Sequence, residues 1–219
     1  MNPSNSDDRI LRFYGSSHPA MFEIERRCMD RDGLVVRHLD SELPKGLVLD
    51  VGAGNGFTAF RLRSPARQVV ALEPDPGMVD SGLPLPWVRG LAQDLPFPSN
   101  TFRAAYATWA FFFHGVPDID NGLDELNRVV RNEGRIVIVD NAGGDEFSSL
   151  ATRSTASDPD WWRGRGFEET HIHTSFRFDS LEEARRLLGF YFGEEAAARN
   201  SKTQIEYRVI AYSTTVQKT

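Results

Sequence analysis

With one cysteine, Cys28, in 219 residues, the chain cannot form an internal disulfide, so its fold must rest on apolar burial. Long hydrophobic runs are also missing. The most apolar windows, such as 104–113, fall far short of the roughly 20 residues that a membrane span needs, and no membrane partner is expected. Nor is there a basic excess: a formal charge of -6 gives no footprint for gripping phosphate backbones, and nucleic acid is excluded as an expected partner. The first eight residues have neither the basic nor the apolar region of a secretory signal, which leads to an expected cytoplasmic location. What is present is 40% hydrophobic content, enough to bury one sizeable core, so a single domain over 9–219 is expected after a polar, flexible tail at 1–8. The expected assembly is a monomer or homodimer.

Ile10, Leu11, Phe13 and Tyr14 form an apolar cluster that reads as part of a lid over 9–45. Pro19 opens a helix there, Met21, Ile24, Cys28, Val35 and Leu39 recur at helical spacing, and Gly33 divides the stretch into two pieces. The pattern then changes. Residues 47–51 are nearly all apolar and run into glycines, as a buried parallel strand does, and 68–73 form a second such strand ending in an acid. Residues 58–62 supply a short helix between them. Residues 87–90 and 104–109 predict a third and a fourth strand. Leu123, Leu126, Val129 and Val130 share a helix face that Gly134 is expected to close, and 135–140 form a fifth strand. A strand over 171–178 follows, then a helix through Tyr191 capped by Ser180 with Glu183, and a last strand over 204–213 set antiparallel by a return loop. Strands alternating with helices imply a three-layer α/β sandwich around a Rossmann-like, mostly parallel seven-stranded sheet with its last strand antiparallel.

The turn Asp50-Val51-Gly52-Ala53-Gly54-Asn55-Gly56 stands at the carboxyl end of the first strand, where open parallel sheets bind ligands. Glycines there let backbone N–H groups approach a ligand closely. Glu73 ends the next strand, near the roughly 20-residue offset at which an acid meets a ribose, and its two oxygens match two hydroxyls. The alternative for Glu73 is a solvated acid at a strand end. A dinucleotide enzyme would place a third glycine where Phe57 stands, which argues against NAD.

These residues carry a family resemblance. The run 48–56 resembles motif I of class I S-adenosylmethionine-dependent methyltransferases. Residues 71–78 resemble the family's acidic second-strand end, 92–102 its segment before the fourth strand, and 126–138 its helix-glycine-strand passage. The likeness spans roughly 46–140 and implies S-adenosylmethionine as cofactor, with S-adenosylhomocysteine as product. It places Asp50, Gly52, Ala53, Gly54 and Asn55 around the methionine part and ribose, and Glu73 on the ribose hydroxyls. Pro74, Met78, Ala92 and Gln93 would meet the adenine, Thr108 the methionine end, and Tyr14 would close over the cofactor or merely pack on the domain. One departure is Leu91, where the family often has an acid facing the adenine amino group. Gln93, Asp94 or water would have to replace that acceptor.

Methyl transfer from a sulfonium depends on alignment and exclusion of water, and a base is needed only for a nucleophile still protonated at neutral pH. The candidate catalytic base is His114, against the alternative of an inert loop histidine; His18 ranks below it. Phe111, Phe112 and Phe113 are either core or a cation-holding wall, with Phe113 the better wall candidate. His171 and His173 share a strand face but have no third ligand nearby, so no metal site is expected. Trp161 and Trp162 either cover a substrate or pack a helix end. The expected function is methylation of a small-molecule acceptor. The rivals are an NAD(P)-dependent oxidoreductase and a non-catalytic protein of the same fold that binds the cofactor.

Overall fold

The computed structural model describes residues 14–113, 115–116, 118–154 and 156–218. His114 and the apolar residues Ile10, Leu11 and Phe13 lie outside them. The chain runs α1 (Pro19–Cys28), α2 (Leu34–Glu42), β1 (Gly46–Val51), α3 (Phe57–Leu62), β2 (Arg67–Leu72), β3 (Trp87–Val88) and β4 (Phe102–Thr108). It continues through α4 (Ile119–Val129), β5 (Val130–Asn141), α5 (Pro159–Arg163), β6 (Glu168–Arg177), α6 (Leu181–Phe192), α7 (Glu194–Arg199) and β7 (Gln204–Thr215). The seven strands form one sheet in the order β3-β2-β1-β4-β5-β7-β6. β1 to β5 are mutually parallel where they pair, and β7 runs antiparallel between β5 and β6. The expected fold class is borne out.

Side-chain alternation along the central strands builds the three layers. Val48, Val69, Ala71, Ala104 and Tyr106 project into one core with Leu39 of α2, Leu62 of α3 and Leu187 of α6. Their neighbours Leu49, Val70, Leu72 and Ala105 project into the other, against Leu123 and Leu126 of α4 and Trp162 of α5. Both sheet faces are therefore dry, which is why these strands read as continuous apolar runs. Each fully buried aliphatic side chain contributes about 1.5–3 kcal/mol.

Gly134 does not close α4. The helix ends at Val129, and the left-handed turn falls instead on Glu133, whose φ is 62°. Gly134 belongs to β5, where a Cβ would lie 2.7 Å from the Arg103 carbonyl oxygen and 2.4 Å from Val130 Cγ1. Close approach of neighbouring chain, not helix termination, requires the glycine. The Ser180 cap is present, its Oγ accepting from the Glu183 N–H at 3.1 Å, but the Glu183 carboxylate reaches one residue further back, to the Asp179 N–H at 3.0 Å. That carboxylate also pairs with Arg27 of α1, tying the two helices together. Trp161 and Trp162 pack a helix end: Trp162 is buried, stacked on Tyr212 at 4.9 Å, and Arg165 covers the Trp161 ring at 3.6 Å. His171 and His173 are exposed on β6, and no metal-holding group of three acids, histidines or cysteines occurs among the described residues.

Buried Arg67 at the start of β2 fastens the edge of this sandwich. Its guanidinium donates to the carbonyls of Asp40, Leu43, Pro44 and Leu62 and to the Asp40 carboxylate at 2.6 Å. Arg67→Ala strands those carbonyls and should lower stability by about 3 kcal/mol. The Asp40 side chain is 67% exposed, so Asp40→Ala should cost less than about 1 kcal/mol. Urea unfolding of both variants checks the contrast, and equal losses would show that the ion pair rather than the carbonyl cage carries the effect.

Candidate functional site

The order of the sheet makes one topological switch: from β1 the chain moves outward through β2 and β3, then returns to β4 on the other side of β1. A crevice opens at the carboxyl edge of such a switch. Here it is a cavity of about 610 Å³ whose walls include the turn after β1, the loop after β2 and the residues after β4. That volume suits a ligand of cofactor size.

The turn after β1 takes its shape from its glycines. Gly52 has φ 73°, and a Cβ on it would fall 2.5 Å from the Ala110 methyl group. Gly56, with φ 80°, caps α3, and a Cβ there would strike Leu85 and Trp87 at 2.7 and 2.9 Å. L side chains rarely adopt this backbone region, and the close neighbours leave no room for one. Gly52, Ala53, Gly54 and Asn55 all line the cavity.

Glu73 follows β2 and is 7% exposed. One carboxylate oxygen accepts from the Gly54 N–H at 2.8 Å and the other from the Asp75 N–H at 2.9 Å. Burial pushes its carboxyl above the ordinary glutamate value, and the two backbone donors oppose that shift. Pro74 and Met78 continue the same wall, as do Leu91, Ala92 and Gln93. Gln93 thus shares the cavity wall with Leu91. Asp94, the other substitute, is exposed and absent from the wall. Thr108 and Tyr14 also reach the cavity.

Asp50 requires a correction. Its side chain is 1% exposed and does not line the cavity; it lies beneath the turn, accepting from the Tyr106 hydroxyl at 2.8 Å, with Oδ1 lacking a hydrogen-bond partner. Burial pushes its carboxyl up to about 7, against the opposing Tyr106 hydrogen bond. The reason is periodicity: Asp50 points to the same sheet face as Val48, into the core, while the turn that meets a ligand begins two residues later. Among the three phenylalanines, Phe112 is core, whereas Phe113 and also Phe111 form wall.

Sequence reasoning missed a second half of the cavity. Glu25 and Arg26 of α1, Asn141 at the end of β5, Phe147, Tyr191 of α6 and Tyr207 of β7 all line it. The Arg26 guanidinium lies 5.5 Å from the Phe22 and Trp109 ring centroids, within cation–π range of both. Trp109 itself holds a left-handed backbone, φ 47°, which is costly for a bulky residue and places its ring on the cavity wall. The only local signal was Glu25: it falls on the buried stripe Met21, Ile24, Cys28 of α1, where a carboxylate is out of place unless it is used.

Residues 49–138 match the model of a family described as a methyltransferase domain. A demethylmenaquinone methyltransferase of Clavibacter sepedonicus is 36% identical over 98 residues, 42% of this chain and 39% of that one. A 2-phytyl-1,4-naphthoquinone methyltransferase of Synechococcus elongatus is 34% identical over 110 residues, 44% and 46% of the two chains. The chain thus spans less than half the length of these curated relatives. Among solved structures, an S-adenosylmethionine-dependent methyltransferase of Thermotoga maritima superimposes with a TM-score of 0.61 at 15% identity, covering 93% of this chain and 97% of that one. The YcgJ protein of Bacillus subtilis gives 0.57 at 19% identity, covering 85% and 98%. The resemblance to class I methyltransferases is borne out by the match over 49–138 and by the fold, and that resemblance implies S-adenosylmethionine as the cofactor. The site fits it: glycine backbone where a Cβ cannot go, and a buried carboxylate beside it.

The state of Asp50 gives a prediction. An unfolded aspartate titrates near ~3.9, and this one in the folded protein near about 7. Between those values the folded state binds more protons, so the stability this group contributes is full below the lower value and falls as pH rises to the upper one. Asp50→Asn removes the titration. Its stability relative to the parent should improve from pH 4 to pH 7 and level off above, as read from urea melts; a flat difference would contradict the shifted carboxyl.

Proposed function

We propose that this chain, which carries a methyltransferase domain on the class I fold, transfers the methyl group of S-adenosylmethionine to a small, planar and largely apolar acceptor. The observation that carries the reading is the union, in one cavity, of the Glu73-braced glycine turn with a wall of aromatic side chains. When bound, the cofactor supplies an electrophilic methyl group on a sulfonium. Gly52, Ala53, Gly54 and Asn55 would present backbone to its methionine and ribose portions, and Glu73 would accept from the ribose hydroxyls. Pro74, Met78, Ala92 and Gln93 would enclose the adenine, Thr108 would stand at the methionine end, and Tyr14 would cover the cavity.

The chain's own part in catalysis is alignment and drying. Trp109, Phe111 and Phe113 follow β4 directly, and their faces attract a cation while excluding water from it. The same surfaces favour a flat ring as acceptor, which agrees with the quinone substrates named for the curated relatives. Phe57 speaks against the oxidoreductase alternative: it occupies the first turn of α3 and lines the cavity where a dinucleotide site has glycine and pyrophosphate. His114 as base remains a proposal on its position after β4 alone.

Calorimetry tests this reading. S-adenosylmethionine and S-adenosylhomocysteine should bind saturably and NAD should not. Glu73→Ala should weaken both sulfur ligands by about 1.5–3 kcal/mol, the value of hydrogen bonds to a charged acceptor. Saturable NAD binding with no heat from either sulfur ligand overturns the function, and unchanged affinity in folded Glu73→Ala removes Glu73 from the site.

A further inference from the structure

Glu25 sits on the apolar face of α1, 8% exposed, and lines the same cavity as Gly52 and Thr108. It is not a bystander ion pair. The Tyr14 hydroxyl donates to its Oε2, and because that hydroxyl has a single hydrogen, the Tyr191 hydroxyl, 2.6 Å away, is the donor to Tyr14. Two phenols from opposite ends of the chain thus fix one carboxylate oxygen. The other oxygen, Oε1, faces Arg26 Nη2 at 3.4 Å, a distance that leaves it able to accept from a ligand. Among the described residues Arg26 Nε has no hydrogen-bond partner, and Nη2 makes a long contact with Met29 Sδ at 3.5 Å besides Glu25. Burial pushes both phenols above their ordinary value, so they stay protonated and serve as donors across the neutral range.

We infer that Glu25 is the proton acceptor for a hydroxylated aromatic ring, with Arg26 as the partner that holds the ring's oxygen. The inference rests on the methyl-transfer reading and deepens it. A carboxylate beside a guanidinium offers an acceptor and a donor in one place, which is what a hydroxyl needs. A carboxylate ligand is attracted by Arg26 but repelled by Glu25, and an ammonium ligand the reverse, so the pair repays neither ion's desolvation, a cost that a neutral hydroxyl escapes. In the reaction the O–H bond of the ring breaks and its proton goes to Glu25. The electron pair so released, shared between oxygen and the conjugated ring carbons, forms the bond to the methyl carbon. The sulfur–methyl bond breaks with its pair returning to sulfur, giving S-adenosylhomocysteine. A neutral acceptor and a sulfonium become a neutral methylated product, a neutral thioether and one proton on Glu25. Should the bond form at carbon, the first product is the keto tautomer, which becomes aromatic again without change of composition.

The test uses three probes on protein saturated with S-adenosylhomocysteine: 2-naphthol, 2-naphthoate and 2-naphthylmethylammonium. The wild type should bind 2-naphthol about tenfold more tightly than either ion. Glu25→Gln should relieve the discrimination against naphthoate, and Arg26→Met that against the ammonium. With S-adenosylmethionine and 2-naphthol, Glu25→Gln should lower kcat by about 100-fold, while S-adenosylhomocysteine affinity stays within a few-fold. Tyr14→Phe and Tyr191→Phe should lower kcat by smaller factors and leave KM nearly unchanged. If Glu25→Gln loses S-adenosylhomocysteine binding, Glu25→Asp is used instead, with the same direction and a smaller loss. Equal binding of the three probes, no 2-naphthol turnover by the wild type, or full turnover by a folded Glu25 variant overturns the inference. Failure of the wild type to bind S-adenosylhomocysteine overturns the methyl-transfer reading instead.

Discussion

The Glu73 carboxylate joins the turn after β1 to the loop after β2, and the geometry of that half of the cavity follows from that one clamp. Its oxygens take the Gly54 and Asp75 N–H groups at 2.8 and 2.9 Å, so two separate crossover loops share one anchor. Burial opposes the charge while the two donors favour it, and the carboxyl stays above its usual range because burial dominates. Each carboxylate oxygen can accept more than one hydrogen bond, so bracing the turn leaves capacity for hydroxyls of a ligand. The turn is therefore shaped before a ligand arrives, and binding need not also supply the entropy of ordering it.

A second constraint comes from β4. After Thr108 the backbone enters the left-handed region at Trp109, yet the Trp109 N–H still donates to the Val139 carbonyl at 2.9 Å, one rung beyond the strand. This bend carries Ala110 against Gly52, so closely that no side chain fits on the glycine. Strain of about 1–3 kcal/mol at Trp109 and the glycine at 52 are two sides of one approach between chain segments. Beneath them, the buried pair Asp50 and Tyr106 ties β1 to β4 with a hydrogen bond at 2.8 Å. The pair supports the floor from below without touching the cavity.

The glycine turn and its buried acid were legible in the sequence as neighbours because they are local. Gly52, Gly54 and Glu73 lie on adjacent strand ends, and the strands themselves announce their burial on both faces through unbroken apolar runs. Gly134 was misread because helix closure and close strand approach both select glycine, and only the neighbouring Arg103 carbonyl distinguishes them. Asp50 was misassigned for a related reason: position in a motif says that an acid is needed, while strand periodicity decides which way it faces. Glu25 and Arg26 could not be recognised from spacing alone. Glu25 is tied through Tyr14 to Tyr191 of α6, and Arg26 packs on Trp109 after β4, and nothing local to α1 records those meetings.

This difference in origin separates what a family likeness can transmit from what it cannot. Residues 49–138 contain the glycine turn, Glu73, Gln93 and Thr108, all of which line one half of the cavity. Glu25, Arg26, Asn141, Phe147, Tyr191 and Tyr207 all lie outside that stretch. A chain can keep the first set and change the second without disturbing the braced turn, since no hydrogen bond of Glu73 involves the second set. Trp109 is where the two halves meet: its backbone is set by the approach to Gly52, and its ring packs against the Arg26 guanidinium. In the proposed methyl transfer, that contact would let Trp109 orient the acceptor against the methyl group, as an in-line displacement requires.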